Sequence, residues 1–280
     1  MKILTTALLL SALFVAPQAQ AKRILFASQF SLIPESQAHE KFGQCYDWAL
    51  HPDSIKVMVW NIKKGQEKGL DKDLPSYGKD RDIFILSEGY LSNKVKPIFE
   101  SFQDICWDFG TAFLYKKDND TKTGTMIGSK VFPSWSKVKH TLDHEPFINT
   151  PKALTFAKYP IAGTEKELLV ISVHAINIVV PAAFERHMNQ AKAEMLKHDG
   201  PVIFAGDFNT NMPAKVKFLM KMTGALGMQS LEFKNDARMK TLGQIIDYVF
   251  VRGLHPKDSS VLGHLKSSDH KAMMAELALD

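Results

Sequence analysis

The chain has 280 residues, 45% hydrophobic and 23% charged, an ordinary globular balance that excludes wholesale disorder and collagen-like repetition. At this length one large domain or two small ones can bury roughly three quarters of the unfolded surface, so neither metal nor disulfide is needed to hold a core. Lys and Arg number 35 against 30 Asp and Glu, a net charge of +5, which suits an anionic partner without naming one.

The N-terminus reads as a leader. Met1 and Lys2 give a short positive start, Ile3 to Val15 is apolar, and Ala19-Gln20-Ala21 has the small-x-small form of a cleavage site. The apolar run is shorter than the ~18–20 residues that span a bilayer, and no later segment is apolar for long enough. The expectation is an exported protein, periplasmic or secreted after cleavage near Ala21. Residues 1–21 are then a signal peptide, 22–53 an extension packing on the core, and 54–280 one domain. Export changes how Cys45 and Cys106 read, because disulfides persist outside the cytoplasm and two cysteines allow one intramolecular pairing. Two buried free thiols are the other arrangement; a four-cysteine zinc site is excluded by the count.

Beyond residue 53 the periodicity predicts an α/β domain without internal repeats. Strands are expected at Ser54 to Asn61 and Ile83 to Glu88, then a helix over Leu91 to Phe102 and a polar loop over Lys116 to Lys122. Gly124 to Ile127 and Ala153 to Ala157 add strands, with Pro133 to Pro151 a long irregular connection between them. Strands at Leu168 to His174, Pro201 to Asp207, Ile245 to Val251 and Ala272 to Leu279 alternate with helices at Ala182 to Lys197 and Ala214 to Thr223. Several of these strands are apolar almost throughout, as strands covered on both faces are. Phe184, Met188, Ala191 and Met195 recur at helical spacing, which is core packing.

The chemistry lies at the strand ends. Asn61 ends the first run, Glu88 the second, His174 the third, with Asn177 just beyond it. Asp207 and Asn209 close the fourth in GDFN, Asp247 interrupts IIDYVF, and Ser268-Asp269-His270 precedes the last strand. Carboxylates beside apolar segments are costly to bury unless paired or bound to a cation, and strand ends are where distant side chains converge on one pocket. Singly, each has a bland reading: a turn cap, a satisfied core acid, a core histidine.

Taken in order, the series VWN, SE, VHAIN, GDFN, IDYVF and SDH resembles the endonuclease/exonuclease/phosphatase superfamily, over about Ile55 to Leu279. That resemblance implies a four-layered α/β sandwich, two packed mixed β-sheets flanked by helices. It also implies phosphoester hydrolysis by a metal-assisted, activated water, the cation stabilising charge on the phosphoryl group. Glu88 is the expected metal ligand, since a hard carboxylate suits Mg²⁺, with Mn²⁺ or Ca²⁺ as alternatives. Asn61 assists it, and Asp269 is a second ligand or a partner of the Glu88 site. By the same resemblance Asp207 polarises the water, Asn209 and Asn177 contact phosphate, and His174 serves the leaving oxygen. His270 handles protons, with Asp247 orienting it.

Two departures stand out. Members commonly carry Gln before the metal Glu, where this chain has Ser87. Many place an acid shortly after WN, where this chain runs Ile62-Lys63-Lys64-Gly65. Lysine there cannot bind metal; Lys63, Lys64 and Lys152 are phosphate-contact candidates or solvated charges. The superfamily does not fix the substrate. An exported nuclease acting as a monomer on DNA or RNA is the first expectation. A sphingomyelinase-type enzyme, hinted at by Phe132-Pro133-Ser134-Trp135, and a phosphoinositide or nucleotide phosphatase are alternatives. A non-catalytic binding module would not need the full residue set.

Overall fold

The computed structural model describes residues 29–280; the expected leader and residues 22–28 of the expected extension lie outside them. In chain order the strands are β1 (Phe30–Ser31), β2 (His39–Gly43), β3 (Ile55–Asn61), β4 (Ile83–Tyr90), β5 (Cys106–Tyr115), β6 (Thr121–Ser129), β7 (Trp135–His140) and β8 (Ala153–Pro160). They continue as β9 (Glu167–His174), β10 (Val202–Asp207), β11 (Gln229–Ser230), β12 (Lys240–Thr241), β13 (Gln244–Ile245), β14 (Asp247–Arg252), β15 (Leu254–Val261) and β16 (Met273–Leu279). The helices are α1 (Leu70–Gly78), α2 (Lys96–Glu100), α3 (Pro181–Met195) and α4 (Pro213–Ala225).

One sheet runs β5-β6-β4-β3-β16-β15, with β1 and β2 end to end along the outer edge of β5. The other runs β11-β14-β10-β9-β8-β7, and β12 and β13 form a separate ribbon. β3 pairs parallel with β4, and β9 with β10, inside otherwise antiparallel sheets, so both are mixed.

Alternation of side chains builds the layers. Val57, Val59, Ile83 and Ile85 face Val170, Ile203, Ala205 and Val249 between the sheets. On the outer face of the first sheet Met58, Trp60, Phe84 and Leu86 pack with Leu74 and Phe99 of α1 and α2. On the outer face of the second, Ile171, Phe204 and Phe250 pack with Phe184, Met188, Met195 and Leu219 of α3 and α4. The result is the expected four-layered sandwich, and it explains why the central strands read as apolar throughout.

Where sequence and structure part, the cause is local. The helix expected over Leu91 to Phe102 shrinks to α2. Pro97 sets its start, while Leu91 still donates from its N–H to Lys122 O in the extension of β4. The expected irregular stretch from Pro133 to Pro151 contains β7, an edge strand whose polar sequence WSKVKH hides it. β15 is likewise an exposed edge, and the long strand β5 carries a buried Asp108 held by His39 Nε2 at 2.6 Å. Helix α1 was concealed by its internal Pro75.

Cys45 and Cys106 form a disulfide, which ties the segment after β2 to the start of β5. The loop it closes spans 61 residues, a length at which cross-linking stabilises by about 4 kcal/mol in the chain-entropy model. Replacing both cysteines by serine is therefore expected to lower the melting temperature by about 10 °C. A thermal unfolding curve unchanged from that of the parent would rule this out.

Candidate active site

The C-terminal ends of the two parallel pairs lie side by side at one end of the sandwich, and β14 starts there in the opposite direction. In register, Asp207 of β10 lies beside His174 of β9 on one flank and Asp247 of β14 on the other. Asn61 and Glu88 come from the facing sheet. The approach of β9 and β10 requires Gly206, at φ 138°, where a Cβ would lie 2.1 Å from Val173 O. Ser87 joins the sheets: its hydroxyl donates to Val173 O at 2.9 Å and accepts from the Asp207 N–H at 3.4 Å. Ser87 thus stitches the seam beneath the site.

Asp207 is the hub. Its Oδ2 accepts from Asn61 Nδ2 at 3.0 Å and lies 3.7 Å from His174 Nε2 and 3.8 Å from His270 Nε2. Its Oδ1 accepts the Asn209 N–H at 2.9 Å. His270 is delivered by the turn before β16. Ser268 Oγ donates to Asn61 O at 2.7 Å, and Trp60 Nε1 donates to His270 O at 3.1 Å. His270 Nδ1 meets both Asp247 oxygens, at 2.8 and 3.0 Å. Glu88 Oε1 lies 3.5 Å from Asn61 Nδ2 and 3.9 Å from His174 Nε2.

Charge follows burial and neighbours. Burial, then the charge of Asp247, raises Asp207 to about 7 against the pull of His270 and of the donors Asn209 and Asn61. Burial raises Asp247 as well, opposed by its bond to His270. For His270 burial works against the charged form, but the bond to Asp247 and the charges of Asp247, Asp207 and Asp269 prevail and lift it to about 9. It is an imidazolium at neutral pH. His174 goes the other way: burial and the charge of Lys152 hold it well below its usual range, so it stays neutral. Burial would raise Glu88, while charge on His174 and on Lys64 and Lys152 lowers it; with His174 neutral, the lowering that remains is that of the two lysines.

The other predicted residues are placed as follows. Asn209 Nδ2 donates to Ala175 O at 2.9 Å, leaving one amide hydrogen to aim elsewhere. Asn177 Oδ1 accepts from Asn211 Nδ2 at 3.0 Å, and its backbone N–H is held by Glu145 Oε1 at 3.0 Å. Lys152 Nζ pairs with that same Glu145 oxygen at 3.4 Å. Lys63 Nζ sits between Glu67 at 2.8 Å and Asp269 at 3.2 Å. Asp269 therefore faces Lys63 rather than Glu88, and its Oδ1 also accepts the His270 N–H.

Two supporting cations carried no sequence signal. Lys215, fully buried on α4, donates to Asn209 O and Asn211 Oδ1, both at 3.3 Å, and lies over the Phe184 ring. Arg238 stacks on Phe233 and Tyr248 and donates to Asp247 O at 3.2 Å. Their spacing from the site residues, 6 and 9 positions, has no period a reader could recognise.

Residues 58–270 match the family model described as the Endonuclease/Exonuclease/phosphatase family, and the chain belongs to that family, whose members hydrolyse phosphoester bonds. Among solved structures it is similar to the endonuclease/exonuclease/phosphatase from Beutenbergia cavernae, at 14% identity over 81% of this chain and 72% of that one, with a TM-score of 0.64. It is similar also to the mannosyl-6-phosphatase Bt3783 of Bacteroides thetaiotaomicron, at 18% identity over 81% and 100%, TM-score 0.57. D. rerio TDP2 complexed with a single-strand DNA product matches at 16% identity over 80% and 98%, TM-score 0.57.

Enzymes of this family generally depend on a divalent cation. The residues fit one by the chemistry of their donors: Glu88 and Asp207 present hard carboxylate oxygens at a partly buried site, while Asn61 turns its amide nitrogen toward both and its Oδ1 to the Lys63 N–H. Ligand atoms of Asp207, Asp247 and His270 also lie within 4.8 Å of one another.

Proposed function

We propose that the protein is an exported, divalent-cation-dependent phosphodiesterase, with nucleic acid the substrate class the site suits best. The observation that carries the reading is the His270–Asp247 pair facing Asp207 across 3.8 Å, one charged and one neutralisable partner at the same opening. Asp207 accepts the proton of the attacking water, and Asn209 aims its remaining amide hydrogen at a phosphoryl oxygen. His270, held charged by Asp247, stabilises the negative charge that builds on the phosphorus centre. Neutral His174, reaching both Asp207 and Glu88, stands at the leaving oxygen. A divalent cation would be held by Glu88, with Asn61 beside it steadying that carboxylate, and would supply Lewis-acid polarisation of the phosphoryl group.

Support for a polyanion comes from the groove beside Glu88. It holds about 440 Å³ and is lined by Lys64 and Lys94 with Gln66, Ser92, Asn93 and Asn119, against one carboxylate, Asp118. The disulfide supports a place outside the cytoplasm, and among the described residues no helix is long and apolar enough to cross a membrane.

A second reading, a phospholipid phosphodiester, has one observation in its favour, though not the aromatic stretch singled out in the sequence. Phe132 follows β6, whose Ser129 pairs with Ile83 at the start of β4, and stacks near Trp48 by the disulfide. That end of the sheet lies opposite Glu88, so a membrane held there faces away from the site. Exposed apolar residues do follow β7 and β9: Leu142, Ile178 and Val180 are 74%, 61% and 66% exposed, on loops bonded to one another through Glu145 and Asn177.

The test is hydrolysis of supercoiled plasmid, RNA, sphingomyelin vesicles and a nucleotide by the purified protein, with Mg²⁺ or with EDTA. Nucleic-acid cleavage that needs the cation is the expected outcome. Cleavage of the vesicles alone would replace the first reading by the second. Hydrolysis in EDTA at the Mg²⁺ rate would remove the cation from both.

A further inference from the structure

Lys64 has no place in the reaction just described, yet it makes the closest contact to Glu88. Its ammonium sits directly on Glu88 Oε2, and both side chains are largely shielded, at 18% and 20% exposure. Glu88's other oxygen faces Asn61 and His174. Any cation that binds Glu88 therefore meets a carboxylate already paired.

The backbone on both sides is set for this contact. Lys63, Lys64 and Gly65 follow one another in the left-handed region, at φ 48°, 57° and 65°. Asn61 Oδ1 fixes the turn by accepting the Lys63 N–H at 3.0 Å. Glu88 is itself left-handed, at φ 54°, within a break of register between Leu86 and Gly89. Conformations that side-chain-bearing residues rarely adopt persist where the surroundings over-determine them, and they concentrate at working sites.

The cavities show where the lysine can go. Lys64 lines a pocket of about 20 Å³ together with Glu88, Thr125, Lys152 and His174, room for one water-sized particle. It also lines the 440 Å³ groove, which contains the Asp118 carboxylate. The side chain is thus the partition between a cation-sized pocket and an open polar groove, and its four-carbon stem is flexible enough to swing from one to the other. Lys152, the other lysine near Glu88, is engaged by Glu145 instead.

We propose that Lys64 is a built-in competitor for Glu88, which a divalent cation must displace into the groove, so that this one lysine sets how tightly the cation binds. The inference rests on the cation-dependent reading above. Lysine is a point charge that a second cation at the same carboxylate repels across a few ångströms. Removing it strengthens cation binding rather than weakening it, the reverse of what the loss of a site residue ordinarily does.

The test is calorimetric titration of Mn²⁺ alone into the full folded protein, without substrate, at fixed pH and ionic strength. Lys64→Met and Lys64→Gln, each checked for native melting behaviour, are both expected to lower the Mn²⁺ dissociation constant at least tenfold. Lys64→Arg, which keeps the charge, is expected to stay within about threefold of the parent. Neutral variants that bind Mn²⁺ no more tightly than the parent would overturn the competition while leaving the cation-dependent reading standing. If neither parent nor neutral variants bind Mn²⁺ up to millimolar concentration, that reading falls and takes the inference with it.

Discussion

Asp207→Asn is expected to lower kcat on a phosphodiester by about a thousandfold or more while making the folded protein more stable. On the reading proposed above, the rate loss follows from removing the proton acceptor at the water position, a role worth roughly 10²–10⁴ in comparable sites. The gain in stability follows from charge. Asp207 is buried beside Asp247, and folding raises its pKa from 3.8 to about 7. A carboxyl raised in this way destabilises the fold once the pH exceeds the unfolded value near 4, and the penalty is complete above pH 7. A shift of three units corresponds to about 4 kcal/mol, and an amide that fits Asn61 Nδ2 less well gives back roughly half of it. The variant should therefore be about 2 kcal/mol more stable than the parent at pH 8 and about 2 kcal/mol less stable at pH 4, where the carboxyl is protonated and only the poorer fit of the amide remains. Chemical denaturation at the two pH values checks this; a variant less stable at pH 8 would mean that Asp207 is compensated in a way its neighbours do not reveal.

His270→Ala should lose activity on a similar scale, about a thousandfold, with the opposite effect on stability. Asp247 is buried, and His270 is its ion-pair partner; Arg238 reaches only its backbone oxygen. Truncating the histidine strands a buried carboxylate, which costs about 3 kcal/mol. The pH dependence also has a definite sign. A histidine raised from 6.5 to about 9 contributes stability that is fully present below pH 6.5 and disappears as the pH rises through 9. The stability gap between parent and variant should narrow over that interval. A gap that widens with pH would show the imidazole to be neutral in the fold. Two neighbouring substitutions that both abolish turnover thus separate by the sign of their effect on unfolding, which a general disruption of the site cannot mimic.

Much of this arrangement was legible in the sequence because the central strands are buried on both faces. Val57 and Met58 point into different layers, yet both had to be apolar, so the run stood out, and the polar residue that ended it was conspicuous. Asn61, Glu88, His174 and Asp207 were visible for that reason. The edges were not. β7 and β15 have polar outer faces, so little in their composition separates them from loops; β5 is largely apolar, but Asp108 and Gly110 break its run. The same limit applied within the site. That Asp269 turns to Lys63, and Lys64 to Glu88, depends on three successive left-handed residues. Of those, sequence marks Gly65 alone as suited to such a backbone.

The position of β16 has a consequence for how the molecule is made. Its seven residues come after every other described strand in chain order, yet they lie inside the first sheet, between β3 and β15. Until they emerge from the ribosome, β3 presents an open edge with Ile55, Val57 and Val59 beside it, and β15 has no strand to pair with. An unfinished chain is accordingly both sticky and inert. The same stretch carries the turn that sets His270 against Asp247, so those groups come together only when the sheet closes. On the reading proposed above, hydrolysis is expected only after that closure, and the appearance of activity during translation would report completion of this sheet.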